Sequence, residues 1–144
     1  MEIKFIDTPK PIGNFVNVRY SNNYAYISGQ GPLDDQGKLI TGKVGKDLNL
    51  EQAYDAARRV GISILSIIKN EIGFVKLVKI VKILGLVNCT QDFYLQPKVI
   101  NGCSDLLVQY LGEEKGIHAR SAIGVYVLPN NIPVEIEVIV ELKN

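Results

Sequence analysis

Two short blocks near the C-terminal end carry residue types that could do chemistry, His118-Ala119-Arg120-Ser121 and Pro133-Val134-Glu135-Ile136-Glu137. Each interrupts an apolar, strand-like run, where a charge is costly to place without a partner or a task. The planar guanidinium of Arg120 can grip a carboxylate with two parallel hydrogen bonds, and it stays charged at any physiological pH. Glu135 and Glu137 are two residues apart, so on a strand both point to one face, and Glu141 continues that side. A carboxylate so placed can hold and activate a water. A third block, Ser28-Gly29-Gln30-Gly31-Pro32, offers backbone that a ligand could approach closely, because glycine has no side chain in the way. Plainer explanations compete. Arg120 could pair with an acid across a subunit interface, and the glutamates, Glu137 and Glu141 above all, could form a solvated acidic face.

The remaining reactive side chains read as structural. His118 is the only histidine, and no second histidine or cysteine–acid cluster accompanies it, so no metal site is expected. Cys103 has no evident activating base and reads as core. With Cys89 it is expected to be a reduced, buried thiol rather than half of a disulfide. Tyr110 and Tyr126 read as packing residues. Gly29 and Gly31 lack the spacing of a phosphate-binding loop.

The elements that must position these residues follow from periodicity and turn chemistry. Residues 15–20 and 24–28 flank the turn Ser21-Asn22-Asn23 and form two strands. Asp34-Asp35-Gln36-Gly37 is a second turn, leading to a short third strand near Leu39-Ile40. Asn49 is a good N-cap with Gln52 three residues on, and Ala53, Ala56, Val60, Ile64 and Ile67 form one apolar helical stripe. Dense Val and Ile content favours a strand from about Val78 to Asn88 over a helix. Pro97 starts a second helix whose apolar face holds Val99, Cys103, Leu106, Leu107 and Tyr110, stopped by Gly112. Strands near 119–127 and 133–142, joined by Pro129-Asn130-Asn131, complete the order βββαβαββ. The fold class is α+β, a mixed sheet with two helices on one face. The other face then needs cover, and further copies of the chain can supply it.

If the last two strands run antiparallel, Arg120 and Glu135 are offset by four to five residues, on the order of 15 Å at about 3.3 Å each. They cannot meet within one subunit, so a shared site requires assembly.

At 144 residues the chain fits one domain from end to end, with no repeat, linker or low-complexity tract. The charged fraction of 22% argues against a disordered tail as the main content, and the formal net charge of +1 argues against a dedicated nucleic-acid binder. No secretory leader and no apolar run of membrane-spanning length is evident, and a soluble cytoplasmic protein is expected.

The succession Ser28-Gly29-Gln30-Gly31-Pro32-Leu33, Gly45-Lys46-Asp47-Leu48, Val87-Asn88, Asp92-Phe93, Ala119-Arg120-Ser121 and Val134-Glu135-Ile136-Glu137 resembles the RidA (YjgF) family over nearly the whole chain. The segment around Gln96-Pro97 and Asn101-Gly102 is similar to a slightly longer subgroup. Older descriptions of that family as nucleases gain no support from the charge here. The resemblance implies a chorismate-mutase-like fold, a homotrimer with clefts between subunits, and hydrolysis of reactive imines or enamines of amino acids without metal or cofactor. In that family the residue matching Arg120 binds the substrate carboxylate, and the one matching Glu135 positions water. Backbone near Gly31 and Ala122 would orient the substrate's other end, and Asn101 matches a site-adjacent asparagine. Phe15 stands where the family usually has tyrosine, so it can serve as a wall but lacks the hydroxyl. Ala122 replaces a common cysteine. The alternative is a non-catalytic binder of small carboxylates on the same trimer. A chorismate-mutase-type enzyme would want more cations near the pocket than this chain places there.

Overall fold

Val134, Ile136, Val138 and Val140 alternate with Glu135, Glu137, Ile139 and Glu141, and this period of two makes the run the central strand of the sheet. The four apolar side chains are buried on the side that carries the helices, so the alternate set faces away from them. The computed structural model describes residues 1–144. Its strands are β1 (Val18–Ser21), β2 (Tyr24–Gln30), β3 (Leu77–Asn88), β4 (Ala119–Val125) and β5 (Val134–Leu142), in the order β1-β2-β5-β3-β4. All neighbours are antiparallel except β3 and β4, which run parallel through a helical crossover.

The third strand expected near Leu39-Ile40 is reduced to one bridge between Leu33 and Leu39. The cause is local. Asp34 Oδ1 accepts from the backbone N–H groups of Gln36 and Lys38, both at 2.9 Å, and this side-chain turn takes the place of a ladder.

Helix α1 (Leu50–Ile67) begins as its sequence dictates. The Asn49 side chain accepts from the Gln52 N–H at 2.9 Å, and the Asn49 N–H donates to the Gln52 side chain at 2.9 Å. Such a cap is worth about 1 kcal/mol. Helix α2 (Gln96–Leu111) carries Pro97 in its first turn and ends at Gly112, whose φ of +84° suits glycine. A short helix α3 (Glu113–Gly116) leads into β4. The two long helices meet at Gly102, where a Cβ would lie 2.0 Å from the Tyr54 carbonyl oxygen, so any side chain there would force them apart. Both press on the same sheet face, and 28 buried apolar residues form one cluster between them and the strands.

Cys89 and Cys103 are free and buried. Tyr110 packs edge-on against Phe5 with ring centroids 5.7 Å apart, as a packing residue should. Tyr126 does not. It is 87% exposed, its ring 5.5 Å from Lys43 Nζ, because it falls beyond the end of β4 where no element covers it. No helix is long and apolar enough to cross a membrane. The helix-free face of the sheet presents Tyr26, Ile139, Leu84, Leu86 and Ile123 around Glu135 and Glu137, with Tyr26 43% and Ile123 48% exposed.

Candidate functional site

The pocket around Glu135 arises from a break in strand pairing. β2 and β5 are in register up to Ile27–Val138, and the next pair is Gln30–Ile136, so the chain bulges at Ser28-Gly29. The bulge is tied down on its far side. Ser28 N–H donates to the Asn17 carbonyl at 2.9 Å, and its hydroxyl to the Val16 carbonyl at 2.7 Å. Asn17 in turn donates to the Pro9 carbonyl at 2.6 Å, which draws the N-terminal segment over the opening. The result is a cavity of about 340 Å³ walled by Pro9, Phe15, Gly29, Gly31, Ile132 and Glu135.

Within it the Glu135 carboxylate lies directly over Gly29. A Cβ at that position would fall 2.5 Å from Glu135 Oε2, so the glycine is what admits the carboxylate. Gly31 is tight for another reason, since a Cβ there would meet Ile132 at 2.9 Å. Half-burial raises the Glu135 pKa above the ordinary carboxylate value, and the neighbouring Glu137 charge raises it further. The carboxylate is therefore a better proton acceptor than a solvated one. Phe15 is 50% exposed and forms one wall with its ring.

Arg120 stands elsewhere. It pairs with Ile83 across the β3–β4 ladder, and parallel partners share a face, so its side chain rises on the helix side of the sheet. There Nη1 donates to Ser104 Oγ at 3.0 Å and Nη2 to the Pro97 carbonyl at 3.1 Å, both on α2. No acid in the chain pairs with it, because the two ion pairs present both belong to Arg59. Ala122 lies two residues on, packed against the core on the same face. As β4 is an edge strand of the sheet, half of its backbone polar groups point away from any strand.

Glu135 instead pairs with Leu86 and points to the helix-free face. β4 and β5 run antiparallel, as the sequence offset supposed, but they are not neighbours, since β3 lies between them. Leu86 is three residues beyond Ile83, and two strand spacings intervene, which puts the two Cα atoms roughly 14 Å apart. They also lie on opposite faces. One chain thus holds the expected site residues in two separate groups, Arg120 with Ala122 and Glu135 with Gly31 and Phe15. Asn101 lies on α2 between Pro97 and Ser104, the two residues that hold Arg120, and lines a shallow depression with Leu50, Glu51, Tyr54 and Lys98.

Two residues adjoin the arginine, His118, which the sequence reading took as structural, and Ser104, which it did not single out. His118 Nδ1 is 2.7 Å from the Gly116 carbonyl, and its Nε2 is 2.9 Å from Ser104 Oγ. Burial, and secondarily the Arg120 charge, push the His118 pKa down against the raising effect of the Gly116 carbonyl. The only signal in the sequence was a histidine two residues before the arginine. Ser104 gave none. Cys103 is inert as a nucleophile, its thiol pushed up to about 12 by burial. No group of three or more His, Cys, Asp or Glu side chains is arranged to hold a metal ion.

A mixed α+β sheet with helices on one face, a bulged glycine loop beneath a carboxylate and an edge-strand arginine define the class. Residues 5–142 match the endoribonuclease L-PSP family, and the chain belongs to that family, the RidA/YjgF family that its motifs resemble. It is 37% identical over 143 residues to Protein TCP17 of Trypanosoma cruzi, covering 99% of this chain and 89% of that one. The crystal structure of Atu1372 from Agrobacterium tumefaciens, a protein of unknown function, is 39% identical, with a TM-score of 0.87 over 94% of this chain and 87% of that one. RidA from the Antarctic bacterium Psychrobacter sp. PAMC 21119 is 25% identical, with a TM-score of 0.62 over 94% of both chains.

Proposed function

We propose that this chain hydrolyses reactive 2-imino and 2-enamino acids to 2-oxo acids and ammonia, in clefts between the subunits of a homotrimer. The observation that carries the reading is the Glu135 carboxylate, held over Gly29 inside a cavity and raised in basicity by burial. Arg120 of a neighbouring copy clamps the substrate carboxylate. The opposite-face placement of the two residues supports this division, and the exposed Tyr26 and Ile123 on the helix-free face support assembly.

In the reaction Glu135 holds a water against the imine carbon and takes one of its protons as the oxygen attacks C2. The C=N π pair moves to nitrogen, which takes up the proton that Glu135 removed from the water. Glu135 then relays the carbinolamine's hydroxyl proton to the same nitrogen. The C2–N bond breaks as ammonia departs, and the C2–O bond becomes the carbonyl of the 2-oxo acid. The imine is already electrophilic, so the chemistry calls for neither metal nor organic cofactor. Backbone at Gly31 and along the β4 edge near Ala122 orients the reacting end, and the Phe15 ring excludes water from one side. Asn101 is read as a flanking polar residue of the arginine's half-site.

The test separates binding from rate. Glu135→Gln should still bind a 2-oxo acid yet release ammonia from a freshly generated imino acid about a hundredfold more slowly. Equal loss of binding and rate would favour a second reading, a non-catalytic binder of small carboxylates on the same trimer. The observation on its side is Phe15, whose ring brings no hydroxyl to the pocket.

A further inference from the structure

We infer that Ser104 and His118 are positioning residues for Arg120, orienting its guanidinium for a carboxylate through a directed chain of hydrogen bonds. The inference rests on the reading of Arg120 as the carboxylate clamp. The Gly116 carbonyl can only accept, so His118 Nδ1, 2.7 Å away, carries the proton. In the neutral ring Nε2 is then a bare acceptor, and the Ser104 hydroxyl 2.9 Å from it donates its single proton there. That fixes the Ser104 oxygen as an acceptor toward Arg120 Nη1 at 3.0 Å. With Nη2 held by the Pro97 carbonyl at 3.1 Å, both terminal nitrogens of the fork are restrained and three of its five N–H groups remain for a ligand.

The direction of the chain depends on a neutral imidazole. A protonated one would bring a second cationic donor to the oxygen that already receives Arg120. Burial and the Arg120 charge both disfavour that proton. Other charges on the surrounding elements are engaged or exposed. Asp105 on α2 accepts from the Tyr54 hydroxyl at 2.6 Å, and Lys98 on α2, Glu113, Glu114 and Lys115 on α3, and Lys82 on β3 are exposed. Arg120 is thus the charge that bears on the ring. An arginine oriented this way spends less entropy in gripping a planar anion than a free one does.

The experiment measures calorimetric affinity for pyruvate and for its uncharged amide, pyruvamide, in the assembled wild-type protein and in S104A, H118A, H118Q, the S104A/H118A double variant and R120A. Each single alanine variant should weaken pyruvate about tenfold, the scale of one hydrogen bond to a charged group, and leave pyruvamide unchanged. The double variant should be no weaker than either single one, because both act through one chain. H118Q, whose amide oxygen can still accept from Ser104, should recover most of the affinity. Loss of both ligands alike in the alanine variants would indicate general structural damage and overturn the inference. So would additive losses, or wild-type pyruvate affinity in S104A and H118A while R120A binds none. Undiminished pyruvate binding in R120A would refute the clamp itself.

Discussion

Replacing Gly29 with alanine probes the Glu135 pocket without touching Glu135. The new methyl carbon would lie 2.5 Å from Oε2, 2.9 Å from Cδ and 3.0 Å from Cγ of Glu135, against an ordinary contact distance of 3.4 Å or more. All three atoms belong to one side chain, so the carboxylate yields by swinging away, by about 1 Å. A displacement of that size in a positioned group costs on the order of a hundredfold in rate. The fold should not suffer, because Gly29 is not among the glycines with left-handed backbone and alanine narrows the unfolded ensemble. Gly29→Ala should therefore melt at or above the wild-type temperature, bind pyruvate as well as wild type, and release ammonia about a hundredfold more slowly. The assay follows ammonia and 2-oxo acid from an imine generated in situ by oxidation of an L-amino acid. Wild-type turnover in a folded Gly29→Ala protein would refute the claim that the Glu135 carboxylate, seated over Gly29, holds the reactive water.

Arg120→Lys should weaken pyruvate binding by roughly ten- to a hundredfold with an unchanged melting temperature, since one ammonium cannot replace the two-pronged fork. Glu135→Gln should alter stability in a pH-dependent way that melting curves between pH 4 and 8 will show. The native fold raises the Glu135 pKa, so the protonated form is favoured natively, and the stability it lends is lost as pH rises through the native pKa. The variant should thus be the more stable protein at pH 8, with the difference closing toward pH 4. Glu137→Gln, on the exposed position of the same face, should leave turnover near wild type. Gly102→Ala should destabilise by about 1–3 kcal/mol in denaturant melts, because its methyl group meets backbone and not a movable side chain.

What the sequence disclosed was mostly local. The start of α1 was readable because Asn49 and Gln52 satisfy each other's backbone within three residues, and the Ala53–Ile67 stripe needs nothing distant to define it. Gly112 and Pro97 marked the ends of α2 for the same reason. The strand near Leu39 misled because Asp34 binds the turn's own backbone, a choice that apolar patterning does not register. Strand order was out of reach as well. β3 comes to lie between β4 and β5 through pairings dozens of residues apart, and these place Arg120 and Glu135 on opposite faces. At the site, motif spacing marked Arg120, Glu135 and the glycine block. The role of Gly29 depends on a bulge register, and the Ser104–His118 contact spans 14 residues between a helix and a strand entry, so neither had a signature along the chain.

The central claim is that each catalytic site joins Arg120 of one copy to Glu135 of another. Arg120→Ala and Glu135→Gln chains, each nearly inactive alone, can be unfolded, mixed in equal amounts and refolded together. Half of the positions supplying the arginine and half of those supplying the glutamate are then intact, so about a quarter of the shared sites regain both residues. Imine hydrolysis restored to about a quarter of the wild-type rate in the mixed trimers is the predicted result. A mixture no more active than its separate components, with mixed assembly verified by native mass spectrometry, would contradict it.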